Sequence, residues 1–145
     1  MHRGAMTTTQ RPVQVFTQAE LDYLASQRLG RLATVSADGA VQNSPTGFSY
    51  NPETGTIDIY GRAMGATKKF RNVRATGRAA FVVDDLASTD PWRVRGVEIR
   101  GRAEAVEDHE PPSPYLSREV IRIRPERIIS WGVDPAQDGM RGRDV

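Results

Sequence analysis

The sequence predicts a mainly β domain (α+β by composition of elements): a closed antiparallel sheet of roughly six to seven short strands, with two short helices. Three observations carry this. Alternating, β-branched segments recur along the chain, bounded by turn signals roughly every 8–12 residues. Only two stretches carry helix start and stop signals, and both are short. The chain has 145 residues, 38% hydrophobic side chains and 13 glycines, the size and content of one ordinary globular domain.

The elements follow in order. Residues 1–14 read as a polar, flexible arm or an expression remnant: Met1 to Pro12 lacks the apolar segment of a signal peptide, so a cytoplasmic location is expected. Thr17 with Glu20 forms a capping box, Phe16 can staple onto Leu21, and the first helix ends near Arg28, before Gly30. Arg31 to Ser36 is a strand, and Asp38-Gly39 turns it back through Ala40 to Asn43. Pro45 marks a bulge, an edge or a kink, with extended chain continuing from Thr46 to Tyr50. Asn51 to Gly55 is a turn, and Thr56 to Tyr60 alternates as a half-buried strand does.

Gly61 to Ala66 is a small-residue loop, and Thr67 caps a helix over Lys68 to Arg74 that Gly77 ends. Arg78 to Asp84 is a strand, with Phe81, Val82 and Val83 running together. Trp92 to Val106 is a long one, with Val97, Ile99, Ala103 and Ala105 on one face and glycines suited to a bend. His109 to Pro114 is a proline-rich loop. Glu119 to Arg124 is a strand with Ile121 and Ile123 inward; Pro125 breaks it, and Ile128 to Trp131 resumes. The domain thus runs over 15–134, and 135–145 reads as a polar, disordered tail.

Composition removes several kinds of chemistry. There is no cysteine, so disulfides and thiol catalysis are excluded. The two histidines, His2 and His109, offer no metal-ligand spacing. No apolar run approaches a membrane span. Serines lack a partner histidine, and the carboxylate pairs Asp84-Asp85 and Glu107-Asp108 read as solvated strand caps, so no hydrolytic constellation appears. The 20 basic residues include only two lysines, Lys68 and Lys69. Their arginine companions are either a solvated surface or a site for a polyanion. They are scattered, without a reading helix or RNA-binding motif, so nucleic acid is not the expected partner.

One stretch carries chemistry. Tyr60 to Lys69 leaves a strand, passes a glycine-containing loop and enters a helix N-terminus, where free N–H groups and the dipole favour anions. Arg62, Thr67, Lys68 and Lys69 add side-chain donors. The segment is either a phosphate cradle or a surface loop with charged tips. Trp131 either plugs the core or faces a planar ring, and Trp92 is equally ambiguous.

The order Gly-Arg-Leu-Ala-Thr-Val, Asp-Gly, Asn-Ser-Pro, Ile-Asp-Ile-Tyr, Thr-Lys-Lys-Phe-Arg-Asn-Val, Ala-Ala-Phe-Val-Val-Asp-Asp and Arg-Pro-Glu-Arg-Ile-Ile-Ser-Trp-Gly resembles the pyridoxamine 5′-phosphate oxidase-like family. These proteins share the FMN-binding split β-barrel. The resemblance spans about Phe16 to Asp134. It is narrower toward the branch that uses the deazaflavin coenzyme F420, and within it the group holding the oxytetracycline-pathway reductase. The resemblance implies a homodimer with the flavin-type site at its interface. It implies Lys69 as the phosphate-facing lysine of a Thr67-Lys68-Lys69 motif, with Arg62 beside it. Tyr60-Gly61 would give strand-end contacts, and Asn43, Ser44, Pro45 and Thr46 would run along the ring edge. Trp131 would reach a cofactor held mainly by the other subunit.

The oxidase's Arg-x-x-x-x-Lys run and its arginine-rich C-terminal motif are both missing. That turns the expectation from pyridoxine phosphate oxidation to an F420-dependent oxidoreductase. Such an enzyme gives a hydride to an electron-poor double bond of a small organic substrate, with the cofactor carrying the reaction and no catalytic acid named. FMN chemistry in the same cleft is the alternative, and a non-catalytic carrier of F420, FMN or haem another. A nucleic-acid-binding barrel would instead show steeply salt-dependent binding to oligonucleotides.

Overall fold

The computed structural model describes residues 14–145. The expected arm and His2 lie largely outside them. The expected elements are present; the first helix ends at Ala25, short of Arg28, the strand from Arg78 runs past Asp84 to Thr89, and the larger differences fall at prolines and at the C-terminus.

Helix α1 (Gln18–Ala25) starts on the predicted capping box: the Glu20 N–H donates to Thr17 Oγ1 and the Thr17 N–H to Glu20 Oε1. Strands β1 (Gly30–Val35) and β2 (Val41–Thr46) form the Asp38-Gly39 hairpin, with Gly39 at φ +92°. Pro45 does not interrupt β2. That strand is the sheet's edge and pairs only with β1, so a residue without an N–H costs little there. Then come β3 (Ser49–Asn51), β4 (Thr56–Tyr60), a 3₁₀ turn (Met64–Ala66) and α2 (Lys68–Thr76). Gly77, in the left-handed region at φ +68°, closes α2.

The long strands are β5 (Arg78–Thr89), β6 (Trp92–Val106) and β7 (Val120–Trp131). The sheet runs β2-β1-β5-β6-β7-β4-β3, all antiparallel, and curls as a split barrel around one core that includes Leu32, Phe81, Val97, Ile99, Ile123 and Ile128. Phe81 and Val83 are buried and Val82 between them is only partly so; the strand alternates instead of burying all three.

Pro125 does not end β7. It sits in a bulge, where Arg100 pairs with Arg127 and Gly101 with Pro125, so Glu126 is the extra residue. A Cβ on Gly101 would come within 2.0 Å of the Arg124 carbonyl oxygen, so the close approach at this corner requires glycine. The extra residue reverses the alternation. Ile121 and Ile123 face the core before the bulge, and Ile128 and Ser130 after it. Trp131 is thereby turned to the outer face.

The tail is not disordered. Residues Met140–Asp144 form β8, an eighth strand, on the second half of β7. Arg143 in it makes two hydrogen bonds of 2.8 Å to Glu20, and donates to the Val15 carbonyl at 2.7 Å. Burial pushes the Glu20 carboxyl up, but Arg143 and the Thr17 N–H outweigh it and hold it below its ordinary value.

Candidate functional site

Strand β4 delivers Tyr60 to the loop that precedes α2. The N–H groups in the second half of the loop, Met64 to Thr67, are already committed. Met64 N–H donates to Ser117 Oγ at 3.0 Å and Gly65 N–H to Glu119 Oε1 at 3.2 Å. Ala66 and Thr67 N–H groups donate to Ala63 and Met64 carbonyls. Those four groups are thereby withdrawn from the anion capacity expected across the whole loop, and the first turn of α2 keeps its own. Thr67 serves there as the cap: its hydroxyl accepts from Phe70 N–H at 3.2 Å and donates to the Met64 carbonyl at 2.7 Å. Among the described residues, the N–H groups of Lys68 and Lys69 take no acceptor.

The charges sort themselves in the same way. Eleven arginines form ion pairs with carboxylates, which makes most of the arginine excess a paired, mostly exposed surface. Arg62, Lys68 and Lys69 have no such partner among the described residues. Lys68 lies near the β1–β2 turn, where it adds to hydrogen bonds from Ser36 and from the Ala40 N–H in lowering the Asp38 carboxyl.

Helix α2 is tied to both strands of that hairpin. Asn72 Nδ2 donates to Thr34 Oγ1 at 3.1 Å, and Thr34 Oγ1 to Gln42 Oε1 at 3.4 Å. The cationic helix start and strand β2 therefore belong to one rigid frame. Along β2, alternation splits the predicted ring-edge segment across two faces. Asn43 and Pro45 are exposed on the outer face, beside Val41; Ser44 and Thr46 turn inward. The hydroxyls of Ser44 and Thr46 are buried and take no hydrogen-bond partner among the described residues. Two such orphans on neighbouring inward positions of a free edge strand are costly, about 1–3 kcal/mol each, unless a group from outside the chain satisfies them. They fit a ligand rich in oxygen and ring nitrogen.

Trp131 does not join this cluster within one chain. Tyr60 pairs with Val120 at one end of β7, and Trp131 is the other end, roughly 35 Å of strand away. Its ring lies on the outer face over Gly96, where a Cβ would come within 2.4 Å of it. It is therefore not a core plug. Trp92, 69% exposed, stands at the β5–β6 tip.

Sequence reasoning missed a polar chain beside Tyr60. Asp58, buried on β4, accepts from Arg122 Nε at 3.0 Å and Nη2 at 3.2 Å, from Thr56 Oγ1 at 2.9 Å and from Asn51 Nδ2 at 3.1 Å. Arg122 Nη2 also meets His109 Nε2 at 3.2 Å, and His109 Nδ1 meets Tyr60 Oη at 3.2 Å. Burial, then Asp58, pushes the Tyr60 hydroxyl up, so it keeps its proton. His109 sits in a charged, proline-rich loop, and nothing in its local sequence signals this contact. The one available signal was a pair of opposite charges, Asp58 and Arg122, each set between two inward isoleucines of its strand. Asp85 is also more than a solvated cap: Arg95 first, and Tyr23, hold its carboxyl below the ordinary value. No cluster of His, Asp and Glu suited to a metal occurs among the described residues, and no helix there is long and apolar enough to cross a membrane.

A family model described as pyridoxamine 5′-phosphate oxidase matches residues 16–132. The chain is 46% identical, over 132 residues, to a 5a,11a-dehydrotetracycline/5a,11a-dehydrooxytetracycline reductase of Streptomyces rimosus subsp. rimosus, covering 90% of this chain and 93% of that one. Among solved structures it is similar to a heme binding protein from Mycobacterium smegmatis, with TM-score 0.65 and 19% identity over 91% of this chain; it spans 60% of that protein's length, and the likeness is one of fold. It is also similar to a conserved hypothetical protein from Mycobacterium tuberculosis, with TM-score 0.64 and 27% identity, covering 84% of this chain and 88% of that one. The split barrel, the family match and the 46% identical relative agree: the chain belongs to the pyridoxamine 5′-phosphate oxidase family.

Proposed function

We propose that the protein is an oxidoreductase that works as a cytoplasmic homodimer and uses reduced coenzyme F420, whose deazaflavin supplies a hydride, to reduce an electron-poor double bond of a small organic substrate. The observation that carries this reading is the 46% identity, over nine-tenths of the chain, to a reductase of dehydrotetracyclines. The site is compatible with it. Lys68 and Lys69, with the two open N–H groups at the start of α2, would hold a phosphate, and Arg62 would face the anionic tail beyond it. Ser44 and Thr46 would satisfy polar atoms on the ring edge. Trp131 of a second copy would wall the ring. The protein's contribution is then positioning and the exclusion of water from one face of the ring.

Fluorescence titration of the purified protein with F420, run beside FMN, tests the reading. Saturable F420 binding, with FMN weaker, is the expected result; no F420 binding overturns it. FMN is the second reading, favoured by the family match and by a helix start that would serve a single phosphate equally well. A yellow protein that releases FMN on heating would establish it.

A further inference from the structure

His109 has two neighbours that settle which way its hydrogen bonds run. Arg122 Nη2 carries two hydrogens. One goes to Asp58 Oδ2 at 3.2 Å and the other points at His109 Nε2, also at 3.2 Å. A guanidinium only donates, so Nε2 must accept and carries no proton. The ring's proton is then on Nδ1, which faces Tyr60 Oη at 3.2 Å. That N–H donates to the tyrosine oxygen. The Tyr60 hydroxyl hydrogen, with its oxygen already engaged, has no acceptor among the described residues.

The anchor of this chain is firm. Asp58 and Arg122 side chains are 4% and 14% exposed, and Asp58 is further held by Thr56 and Asn51. Arg122 cannot turn away without leaving a buried carboxylate unpaired. Tyr60 is the last residue of β4, immediately before Gly61 and the loop into α2. We infer that His109 is a positioning residue: locked by Arg122 as the neutral Nδ1–H tautomer, it orients Tyr60 as a hydrogen-bond donor toward an oxygen of the ligand bound beside the loop. The ligand part rests on the reading under Proposed function; the tautomer part does not.

The tautomer is read from ¹⁵N shifts of the histidine ring at pH 8 in the His2→Asn protein, which keeps one histidine. Nδ1 with a protonated nitrogen's shift and Nε2 with an unprotonated one is expected. An Nε2–H tautomer, or a doubly protonated ring, overturns the inference. The positioning role is read from cofactor affinity in two variants of opposite character. His109→Gln can accept from Arg122 through its oxygen and donate to Tyr60 through its amide; His109→Phe keeps a ring and loses both bonds. We expect the Gln variant to bind F420 within about threefold of the native protein and the Phe variant to lose about tenfold. Tyr60→Phe should lose as much, and Tyr60→Phe with His109→Phe no more than either alone, since the two act in one chain. A Phe variant that binds normally while Gln does not would assign His109 to packing and overturn the positioning role. If the native protein binds neither F420 nor FMN, the functional reading falls, and the nitrogen shifts alone decide the relay.

Discussion

Ser44 and Thr46 each bury a hydroxyl that has no partner among the described residues. A group kept for ligand binding and a group kept for stability predict opposite signs on deletion. Ser44→Ala with Thr46→Val removes two unmet hydroxyls while keeping shape, so the ligand-free protein should gain about 1–2 kcal/mol and melt at higher temperature. The same change should weaken cofactor binding. Thermal melts with and without F420 check both signs, and a loss of stability in the free protein would place the hydroxyls in the fold's own bonding. Lys69 carries the complementary expectation. As a charged donor without an ion-pair partner among the described residues, Lys69→Ala should weaken F420 or FMN binding about 10- to 100-fold. It should leave the melting temperature nearly unchanged, since the half-buried side chain has no ion pair to lose among the described residues.

At the level of elements, capping boxes, Asp-Gly turns and period-two strands are written in adjacent residues, which is why α1, the β1–β2 hairpin, β4 and β6 were legible. Pro125 and the tail were not. A proline is tolerated in β7 only because Gly101, on another strand, lets the Arg124 carbonyl approach and a bulge absorb the extra residue. Gly101→Ala should therefore cost at least about 2 kcal/mol in urea unfolding, far more than Gly→Ala at an open site. The order of β8 likewise comes from Glu20, more than a hundred residues away, through Arg143. The site divides by the same rule: the Lys68-Lys69 helix start is local, whereas His109 meets Tyr60 and Arg122 only after folding. The Glu20 pair also has a pH signature. Its carboxyl is lower in the fold than its ordinary value of 4.5, so its stabilisation is present above that pH and fades as pH falls through the folded value. Glu20→Gln should lose about 1–3 kcal/mol at pH 7 and show a shallower fall in melting temperature between pH 5 and about pH 3 than the native protein.

The whole molecule poses a problem of distance that a second copy would solve. Trp131 is on the outer face, far along β7 from the loop and α2. Asn43 and Pro45 share that outer face, with 84% exposed Val41 beside them. Between lies a shallow apolar groove floored by Ala33, Val35 and Ala80 and rimmed by Arg78 and Arg100. A two-fold dimer through this face is self-complementary and would carry Trp131 of one copy toward β2 of the other. Val41→Glu should then shift the protein toward monomer in analytical ultracentrifugation and abolish cofactor binding together with it. A mixing experiment separates this from a site built within one chain. Lys69→Ala and Trp131→Ala should each bind poorly alone. Unfolded together and refolded, half of the dimers are hybrids, and each hybrid holds one site with both residues intact; about one quarter of native binding capacity returns. If the two residues acted in the same chain, no hybrid would contain an intact site and nothing would return. Recovery on mixing therefore reports the shared site directly, whatever the substrate turns out to be.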